Sequence, residues 1–493
     1  MSYQAARATL IDAAYDWQRR EFFSSFDPAA PTVILLPGGM GSQLDRTVDA
    51  YAEGKALPFG DFETVWAGFG LIFGDEAASL AMTPSREDAK RRILVPNGPV
   101  RWRPFFTPYG ETKAFFRSAG VNYFVFGYDW RRPAIENAIF LDRFLRELAL
   151  RADQLRGDTK GLENATLLAH SQGGLVGATY LARFHAKPGD SLDRYVRRFI
   201  SVGTPFYGTC GHIDRYYVGD SLLNWLIGRQ TLARYIASMP GPFALCHLDF
   251  ESYQHLNATT DIGQDLPVYP TIDQETSRAA DIHDPAMFER LPSWMKGPWA
   301  DAVREAIDDS RDVMWLLAQG LPPAAQARTF HIRGGITPLD AKHNAKTSAT
   351  SLVWGPWPNP GETEATSDQS PLVAGPAGRA GKQGDGVVPY WSSRLAQTPR
   401  SRVYDLRKAT DHMDFMEHAE VLAAVKHIMD HDAVPVQSEA MAMASMMMLE
   451  APERSDEATA RAFLQRVKAG EVTAADPQDP GVWKRVLESF SVC

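Results

Sequence analysis

The chain has 493 residues, of which 44% are hydrophobic and 23% are charged. This is the composition of a folded globular protein, and it excludes a chain that is disordered throughout. With 60 acidic and 51 basic residues the net charge is −9, so polyphosphates are repelled on average and nucleic acid is not an expected partner.

The cysteine content and the amino-terminal sequence bear on the compartment. Three cysteines are too few for a disulfide framework, which favours a reducing environment. The stretch MSYQAARATLIDAAYDWQRREFF contains charged residues throughout, so it lacks the apolar segment of a secretory signal. No charge-free apolar run approaches the roughly 20 residues of a spanning helix. We therefore expect a cytoplasmic protein, with export by a route that needs no cleaved signal left open.

Short β-branched runs alternate with longer amphipathic stretches, a pattern typical of βαβ units and a mainly parallel sheet. In chain order, the predicted strands are 32–36, 122–126, 165–168, 198–202, 328–333 and 402–406. The predicted helices are 112–118, 134–153, 174–184 and 420–429. The pattern predicts an α/β fold with a central sheet covered by helices on both faces.

Two long stretches interrupt this alternation. The first, about 45–104, separates the first strand from the next helix. The second, 206–327, is rich in aromatic residues, and we expect an inserted cap or lid with its own small core. The first part of the core would then be 1–205 and its second part 328–431.

Two further regions differ in composition from the rest. The stretch 355–386 is rich in Pro, Gly, Ser and Thr, which predicts an exposed loop. The stretch 432–493 is read as a carboxy-terminal appendage of unknown role. It contains a run of methionines at 441–448 and a predicted polar helix at 456–468.

The segment Ala169-His170-Ser171-Gln172-Gly173 joins a predicted strand directly to a predicted helix. This context predicts a nucleophile elbow, with Ser171 as the nucleophile. The turn is so tight that the residues two before and two after the serine must be small, which Ala169 and Gly173 satisfy. An ordinary serine at a helix N-cap is the competing reading. We expect His170 to point away from Ser171 and to serve packing.

The glycine-rich loop after the first strand, Pro37-Gly38-Gly39-Met40-Gly41-Ser42, is the expected source of a second oxyanion donor. Because glycine has no Cβ, Gly38 and Gly39 let backbone N–H groups approach a carbonyl oxygen. We assign the donors to the N–H groups of Met40 and Gln172. The loop lacks the Gly-Lys-Ser/Thr ending of a phosphate-binding loop.

A serine nucleophile needs a base and a carboxylate that orients it, and in this fold the order is serine, acid, histidine. Asp385 lies in the turn GDGVVP and fits the acid, with Asp405 and Asp411 as alternatives. His412 fits the base because it follows the last predicted strand sooner than His418, which remains the alternative.

Six sequence blocks in order, PGGMGS, GYDWR, AHSQGG, GTPFYGT, GDGVVP and the late histidine, resemble the lecithin:cholesterol acyltransferase family and its bacterial lipase-like relatives. The resemblance runs discontinuously from about 32 to 427. It implies an α/β-hydrolase fold with a cap and lid, a Ser171-Asp385-His412 triad and Met40 as an oxyanion donor. It also implies an acyl pocket, which Phe206 and Tyr207 are expected to line.

The resemblance further implies metal-free acyl transfer, without a cofactor, from a lipid ester to water or an alcohol. The expected activities are those of a lipase, a phospholipase A or a lipid O-acyltransferase. The expected partners are a lipid or other acyl ester, an alcohol or lysolipid acceptor, and a transiently contacted lipid surface. The alternative is a non-catalytic protein that uses the α/β-hydrolase fold for binding.

Overall fold

A computed structural model of the chain provides the structure. It describes residues 3–47, 62–66, 80, 82, 94–100, 109–184, 191–209, 211–218, 233, 235–259, 262, 269, 271–296, 300–334, 352–354, 371–374, 384–406 and 412–436.

The strands and helices of these residues are numbered in chain order. The strands are β1 (Thr32–Leu36), β2 (Ser42–Thr47), β3 (Phe62–Trp66), β4 (Leu94–Pro99), β5 (Asn122–Val125), β6 (Ala165–His170), β7 (Arg198–Val202), β8 (Thr271–Asp273), β9 (Thr329–Arg333), β10 (Leu352–Trp354), β11 (Leu372–Ala374) and β12 (Val403–Asp405). The α-helices are α1 (Tyr3–Ser24), α2 (Gly110–Ser118), α3 (Ala134–Arg156), α4 (Gln172–Arg183), α5 (His212–Val218), α6 (Pro240–Phe243), α7 (Phe250–Thr259), α8 (Pro285–Phe288), α9 (Ala300–Ala318), α10 (Pro323–Gln326) and α11 (Ala419–His431).

The central sheet has six strands in the order β12-β9-β7-β6-β1-β5, and every neighbouring pair is parallel. The prediction of a mainly parallel sheet is confirmed. In such a sheet all strands end at the same edge, so the loops that follow β1, β6, β9 and β12 can meet there. β6 lies between β1 and β7, so the residue that follows it is central to this edge.

Helices cover both faces of the sheet, as predicted. Because side chains alternate along a strand, Ile34 and Leu36 face one hydrophobic cluster, while Val33 and Leu35 face the other. The first cluster contains side chains of α1, α3 and α4, and the second contains those of α2 and α11. The fold is an α/β-hydrolase fold, as the parallel sheet and the strand–turn–helix after β6 indicate.

The two interrupting stretches each contribute strands to a smaller sheet. Within the first stretch, β2, β3 and β4 form an antiparallel sheet in the order β3-β2-β4. The second contributes β8, which pairs in parallel with β10, and β10 in turn pairs antiparallel with β11; both of these strands follow the second stretch in the chain. Apolar residues of the second stretch, such as Tyr216, Phe243 and Ile307, belong to the same cluster as the sheet face. The expectation of a separate small core is therefore wrong for the described residues.

The prediction of an exposed loop at 355–386 also needs correction. Within it, Leu372–Ala374 forms β11, and Leu372 is fully buried. The apolar residues Leu372 and Val373 pair with Trp354 and Val353 of β10, which outweighs the loop-forming composition around them. The methionine run and the helix predicted at 456–468 lie outside the described residues, and the domain boundaries remain predictions. Within the described part of the chain, no helix combines the length and apolarity needed to cross a membrane.

Candidate active site

Ser171 lies in a tight turn between β6 and α4. Its backbone has a φ of 50° and a ψ of −126°, and its N–H donates to the carbonyl of Val202 at 3.0 Å. In the first turn of α4, there is no room for a side chain at Gly173, because a Cβ there would lie 2.3 Å from the carbonyl oxygen of Leu36. The turn thus has the backbone geometry expected of a nucleophile elbow.

The structure brings Ser171, His412 and Asp385 together, although 241 residues separate the first two along the chain. His412 Nε2 lies 2.9 Å from Ser171 Oγ, and its Nδ1 lies 2.8 Å from Asp385 Oδ2. Ser171 is 7% exposed, and the other two residues are 2% exposed. One imidazole therefore contacts a hydroxyl and a carboxylate while all three groups are largely shielded from water.

The side chain of Asp385 is held by backbone groups of the turn that follows it. Its Oδ1 accepts hydrogen bonds from the N–H groups of Val387 at 3.0 Å and Val388 at 2.6 Å, which leaves Oδ2 for His412. The carbonyl of Asp385 also accepts from the N–H of His412 at 3.2 Å. The carboxylate and the imidazole are thus fixed to each other through both side chain and backbone.

The alternatives for the acid and the base occupy other positions. His418 directly precedes α11, and its backbone N–H donates to the carbonyl of Phe415 at 3.2 Å. Asp405 forms an ion pair with Arg333 Nε at 2.7 Å and accepts from Tyr390 Oη at 2.8 Å. Asp411 lies outside the described residues. The hydrogen bonds of the site thus join Ser171 to His412 and His412 to Asp385, and the catalytic roles of the three residues remain predictions.

The loop after β1 lies against the nucleophile. A Cβ at Gly38 would lie 3.2 Å from Ser171 Cβ, so the backbone there passes directly beside the serine. Met40 has a φ of 63°, a left-handed conformation that is uncommon for a residue with a side chain. Its carbonyl accepts a hydrogen bond from Trp66 Nε1 at 2.6 Å. Gln172 begins α4, so its N–H is one of those that have no acceptor within the helix.

A pair of tryptophans connects the two predicted oxyanion donors. The rings of Trp66 and Trp130 lie edge to face at 5.4 Å, and the carbonyl of Trp130 accepts from Gln172 Nε2 at 2.9 Å. Trp66 in turn bonds the carbonyl of Met40. The loop that carries Trp130 is braced by Asp129 and Arg131, whose buried side chains form a two-point ion pair at 2.9 and 2.8 Å.

His170, expected to serve packing alone, contacts both the loop and the base. Its Nδ1 lies 3.2 Å from Tyr109 Oη, and its Nε2 lies 3.1 Å from the carbonyl oxygen of His412. Tyr109 Oη also accepts from the N–H of Gly38 at 2.8 Å. Burial, together with the nearby His412, lowers the pKa of His170 to about 3, so it is neutral near pH 7.

Phe206 and Tyr207, predicted to line an acyl pocket, are both fully buried. Phe206 packs against the ring of His331 at 5.1 Å, and its N–H donates to the carbonyl of Ser392 at 2.9 Å. Tyr207 Oη accepts from the N–H of Ala396 at 3.0 Å. These contacts join the segment after β7 to the loop that precedes β12, and a role in acyl binding remains a prediction.

Sequence reasoning missed Tyr109 and Trp66. Trp66 lies within the interrupting stretch at 45–104 and Tyr109 follows it, and no periodic pattern there indicates which side chain returns to the edge of the sheet. Tyr109 does precede a predicted helix, and its φ of 66° marks it as a residue in an uncommon backbone conformation. That strain is a property of the folded chain, so residue types alone do not reveal it.

Comparison with known proteins gives structural and family matches. A chain in the crystal structure of the Tle4–Tli4 complex is 14% identical, with 85% of this chain and 98% of that chain covered and a TM-score of 0.48. The mature lipase BlEst2 of Bacillus licheniformis is 13% identical, with 83% and 94% covered and a TM-score of 0.32. No curated protein sequence matches the chain. Residues 118–236 match the lecithin:cholesterol acyltransferase family model, which confirms the resemblance over the segment that contains Ser171.

Proposed function

We propose that the protein is a serine hydrolase or acyltransferase that acts on carboxylic esters of lipids through an acyl-enzyme. The observation that carries the proposal is the position of the His412 imidazole, 2.9 Å from Ser171 Oγ and 2.8 Å from Asp385 Oδ2. A hydroxyl becomes an effective nucleophile when a neighbouring base takes its proton, and the base works best when a carboxylate fixes its tautomer.

In the first half-reaction, Ser171 Oγ forms a bond to the carbonyl carbon of the ester, and its proton moves to His412 Nε2. The electron pair of the carbonyl bond moves to the oxygen, which becomes an oxyanion. Asp385 accepts from Nδ1 and stabilises the positive charge on the imidazolium. The ester C–O bond then breaks, and the proton on Nε2 passes to the departing alcohol.

The oxyanion is assigned to the backbone N–H groups of Met40 and Gln172. Two features support this assignment: the approach of the loop after β1 to Ser171, and the position of Gln172 at the start of α4. The positive end of the helix dipole favours negative charge at the same place. In comparable enzymes one such donor lowers the barrier by about 3 kcal/mol.

In the second half-reaction, the oxygen of water or an alcohol bonds to the acyl carbon, and its proton passes to His412 Nε2. The C–O bond to Ser171 Oγ then breaks, and the proton on Nε2 returns to that oxygen. Water gives a free fatty acid, whereas an alcohol or lysolipid gives a new ester. The family match at 118–236 supports a lipid ester substrate in general. Lipase, phospholipase A and O-acyltransferase activities share the first half-reaction and differ in the head group or the acceptor.

The mechanism is tested by labelling with a fluorophosphonate, followed by mass spectrometry of the modified peptide. We expect an adduct on Ser171 that is absent from Ser171→Ala. Ser201→Ala is the matched control, because Ser201 Oγ also contacts a histidine, His331 Nδ1, at 2.6 Å but is fully buried within β7. A folded wild-type protein without an adduct would contradict the proposal and favour a binding protein.

The substrate class is tested by a lipid screen that compares wild type with Ser171→Ala. Phosphatidylcholine, triacylglycerol and a soluble p-nitrophenyl ester are supplied with and without a long-chain alcohol or lysolipid. A serine-dependent release of fatty acid indicates a hydrolase, and a serine-dependent new ester indicates a transferase. Turnover of the p-nitrophenyl ester alone would contradict the lipid part of the proposal.

A further inference from the structure

We propose that Tyr109 and His170 are positioning residues that couple the loop carrying one oxyanion donor to the backbone of the base His412. The inference rests on the proposed function and deepens it, because it adds two residues that act on the predicted site without touching substrate. Three hydrogen bonds carry it, and they connect Gly38, Tyr109, His170 and His412 in series.

The direction of each hydrogen bond follows from its partners. The carbonyl oxygen of His412 can only accept, so His170 Nε2 must carry the proton and donate. A neutral imidazole has one donor and one acceptor nitrogen, which leaves Nδ1 as the acceptor. Tyr109 Oη therefore donates its proton to Nδ1 and uses a lone pair to accept from the N–H of Gly38. With His170 neutral, no alternative arrangement satisfies all three bonds at once.

The series joins two parts of the site that are remote along the chain. At one end, Gly38 lies two residues before Met40, the assigned oxyanion donor, so a fixed Gly38 fixes the start of that loop. At the other end, the carbonyl of His412 is held by His170, which restricts the backbone that carries the imidazole. The two side chains in the middle of the series are buried: Tyr109 is 8% exposed and His170 is 2% exposed.

Backbone strain occurs within the series at Tyr109 and next to it at Met40 and Ser171. Among the described residues, six that are not glycine have a positive φ, and three of them are Met40, Tyr109 and Ser171. Left-handed residues with a side chain persist where the surrounding structure holds them, and they cluster at functional sites. A glycine would relax the backbone at Tyr109, but it would remove the hydroxyl that bonds Gly38 and His170.

The decisive variant is Tyr109→Phe, which removes one hydroxyl and keeps the ring. Its matched control is Tyr123→Phe, because Tyr123 belongs to the same hydrophobic cluster and its buried Oη has no hydrogen-bond partner among the described residues. We expect Tyr109→Phe to lower kcat and the rate of fluorophosphonate labelling about tenfold. We expect KM to change by less than about twofold, since the series does not contact substrate.

A second variant separates positioning from a loss of folding. His170→Phe breaks the series at its other member, and all rates are normalised to serine sites titrated in protein whose folding is verified by thermal unfolding. If the two residues act in series, the double variant that combines Tyr109→Phe and His170→Phe should have a kcat and a labelling rate no lower than those of the slower single variant. Should Tyr109→Phe fail to fold, the labelling rates of His170→Phe and Tyr123→Phe are compared instead. A lower rate for His170→Phe supports the positioning role, and equal rates overturn it.

The outcomes distinguish this inference from the function on which it rests. Wild-type labelling at Ser171 combined with equal rates for Tyr109→Phe and Tyr123→Phe would overturn the positioning role and leave the proposed function intact. Fully additive losses in the double variant would also overturn the series. Absence of labelling in the wild type would overturn the proposed function itself.

Discussion

Asp385 Oδ2 lies 2.8 Å from His412 Nδ1, while Asp385 Oδ1 accepts from the N–H groups of Val387 and Val388. The two oxygens of one carboxylate therefore have separate partners. Because the backbone N–H groups fix the carboxylate plane, the oxygen that faces His412 cannot rotate away. An imidazole held in this way keeps its proton on Nδ1 and presents the lone pair of Nε2 to Ser171.

The first prediction concerns this carboxylate. Asp385→Asn should lower kcat for ester hydrolysis by roughly 10³–10⁴-fold, because an amide that donates to Nδ1 favours the wrong tautomer of the imidazole. Steady-state kinetics on a p-nitrophenyl ester measures the effect. Asp405→Asn is the control, since Asp405 pairs with Arg333 and Tyr390. A greater loss in Asp405→Asn than in Asp385→Asn would show that the acid is assigned to the wrong residue.

The second prediction concerns the hydrogen bond from Trp66 to the carbonyl of Met40. Trp66→Phe removes the donor, so the left-handed backbone of Met40 loses a supporting hydrogen bond. We expect the activation free energy to rise by about 1–2 kcal/mol, which lowers kcat roughly 5- to 30-fold. Trp130→Phe is the matched control, because the indole N–H of Trp130 has no hydrogen-bond partner within the described part of the chain. Equal kcat values for the two variants would show that the hydrogen bond from Trp66 does not support the oxyanion loop.

The third prediction concerns the space at the elbow. Gly173→Ala would place a Cβ 2.3 Å from the carbonyl oxygen of Leu36 and 2.5 Å from that of Pro37, both of which are backbone atoms. We expect a loss of about 3 kcal/mol or more in the free energy of unfolding, together with loss of activity. Chemical denaturation measures the stability. Gly157→Ala, at a φ of 72° with open space around it, should cost only about 1 kcal/mol.

The fourth prediction concerns acid stability. Burial lowers the pKa of His170 and of His212 to about 3 and that of His247 to about 4, and it lowers the pKa of His331 well below its usual value. The unfolded chain, with ordinary histidine pKa values near 6.5, binds more protons below that pH. The free energy of unfolding should therefore fall as the pH drops from 6.5, by up to about 2 kcal/mol per histidine at pH 5.

A single variant tests this assignment. His212→Phe keeps a ring against Tyr216, whose centroid lies 5.7 Å away, and removes one group that titrates. Between pH 6.5 and 5, the free energy of unfolding of this variant should decline less steeply than that of the wild type. Above about pH 7.5, the difference in free energy of unfolding between the two proteins should not change with pH. Urea denaturation across this range gives the slope. An unchanged slope would mean that His212 does not contribute.

The elements that sequence could predict are those with a local signal. β1 and β7 have the predicted bounds, because each is a short β-branched run that is buried on both faces. α4 begins two residues earlier than predicted, since the elbow leads into the helix directly after Ser171. α1 was not predicted, although Ile11, Tyr15, Gln18 and Phe22 follow a helical spacing and are buried, because charged residues between them weaken the apolar pattern.

The candidate site divides in the same way. Ser171, Asp385 and His412 were found from motifs and chain order, and the structure brings them together. The small sheet that contains β8, β10 and β11 has strands of three residues, which are too short for a periodic signal. Trp66 and Tyr109 reach the site through tertiary hydrogen bonds to the loop after β1, which no residue spacing encodes.

The order of the strands has a consequence for synthesis of the protein. The donor loop follows β1, the serine follows β6, and the base follows β12, so the reactive groups come from opposite ends of the core sequence. Under the proposed mechanism, a nascent chain that has already formed β6 and α4 would still lack the imidazole of His412 and could not yet activate Ser171. Reactivity toward esters would then begin only after residue 412 has been synthesised and the loop after β12 has folded against β6.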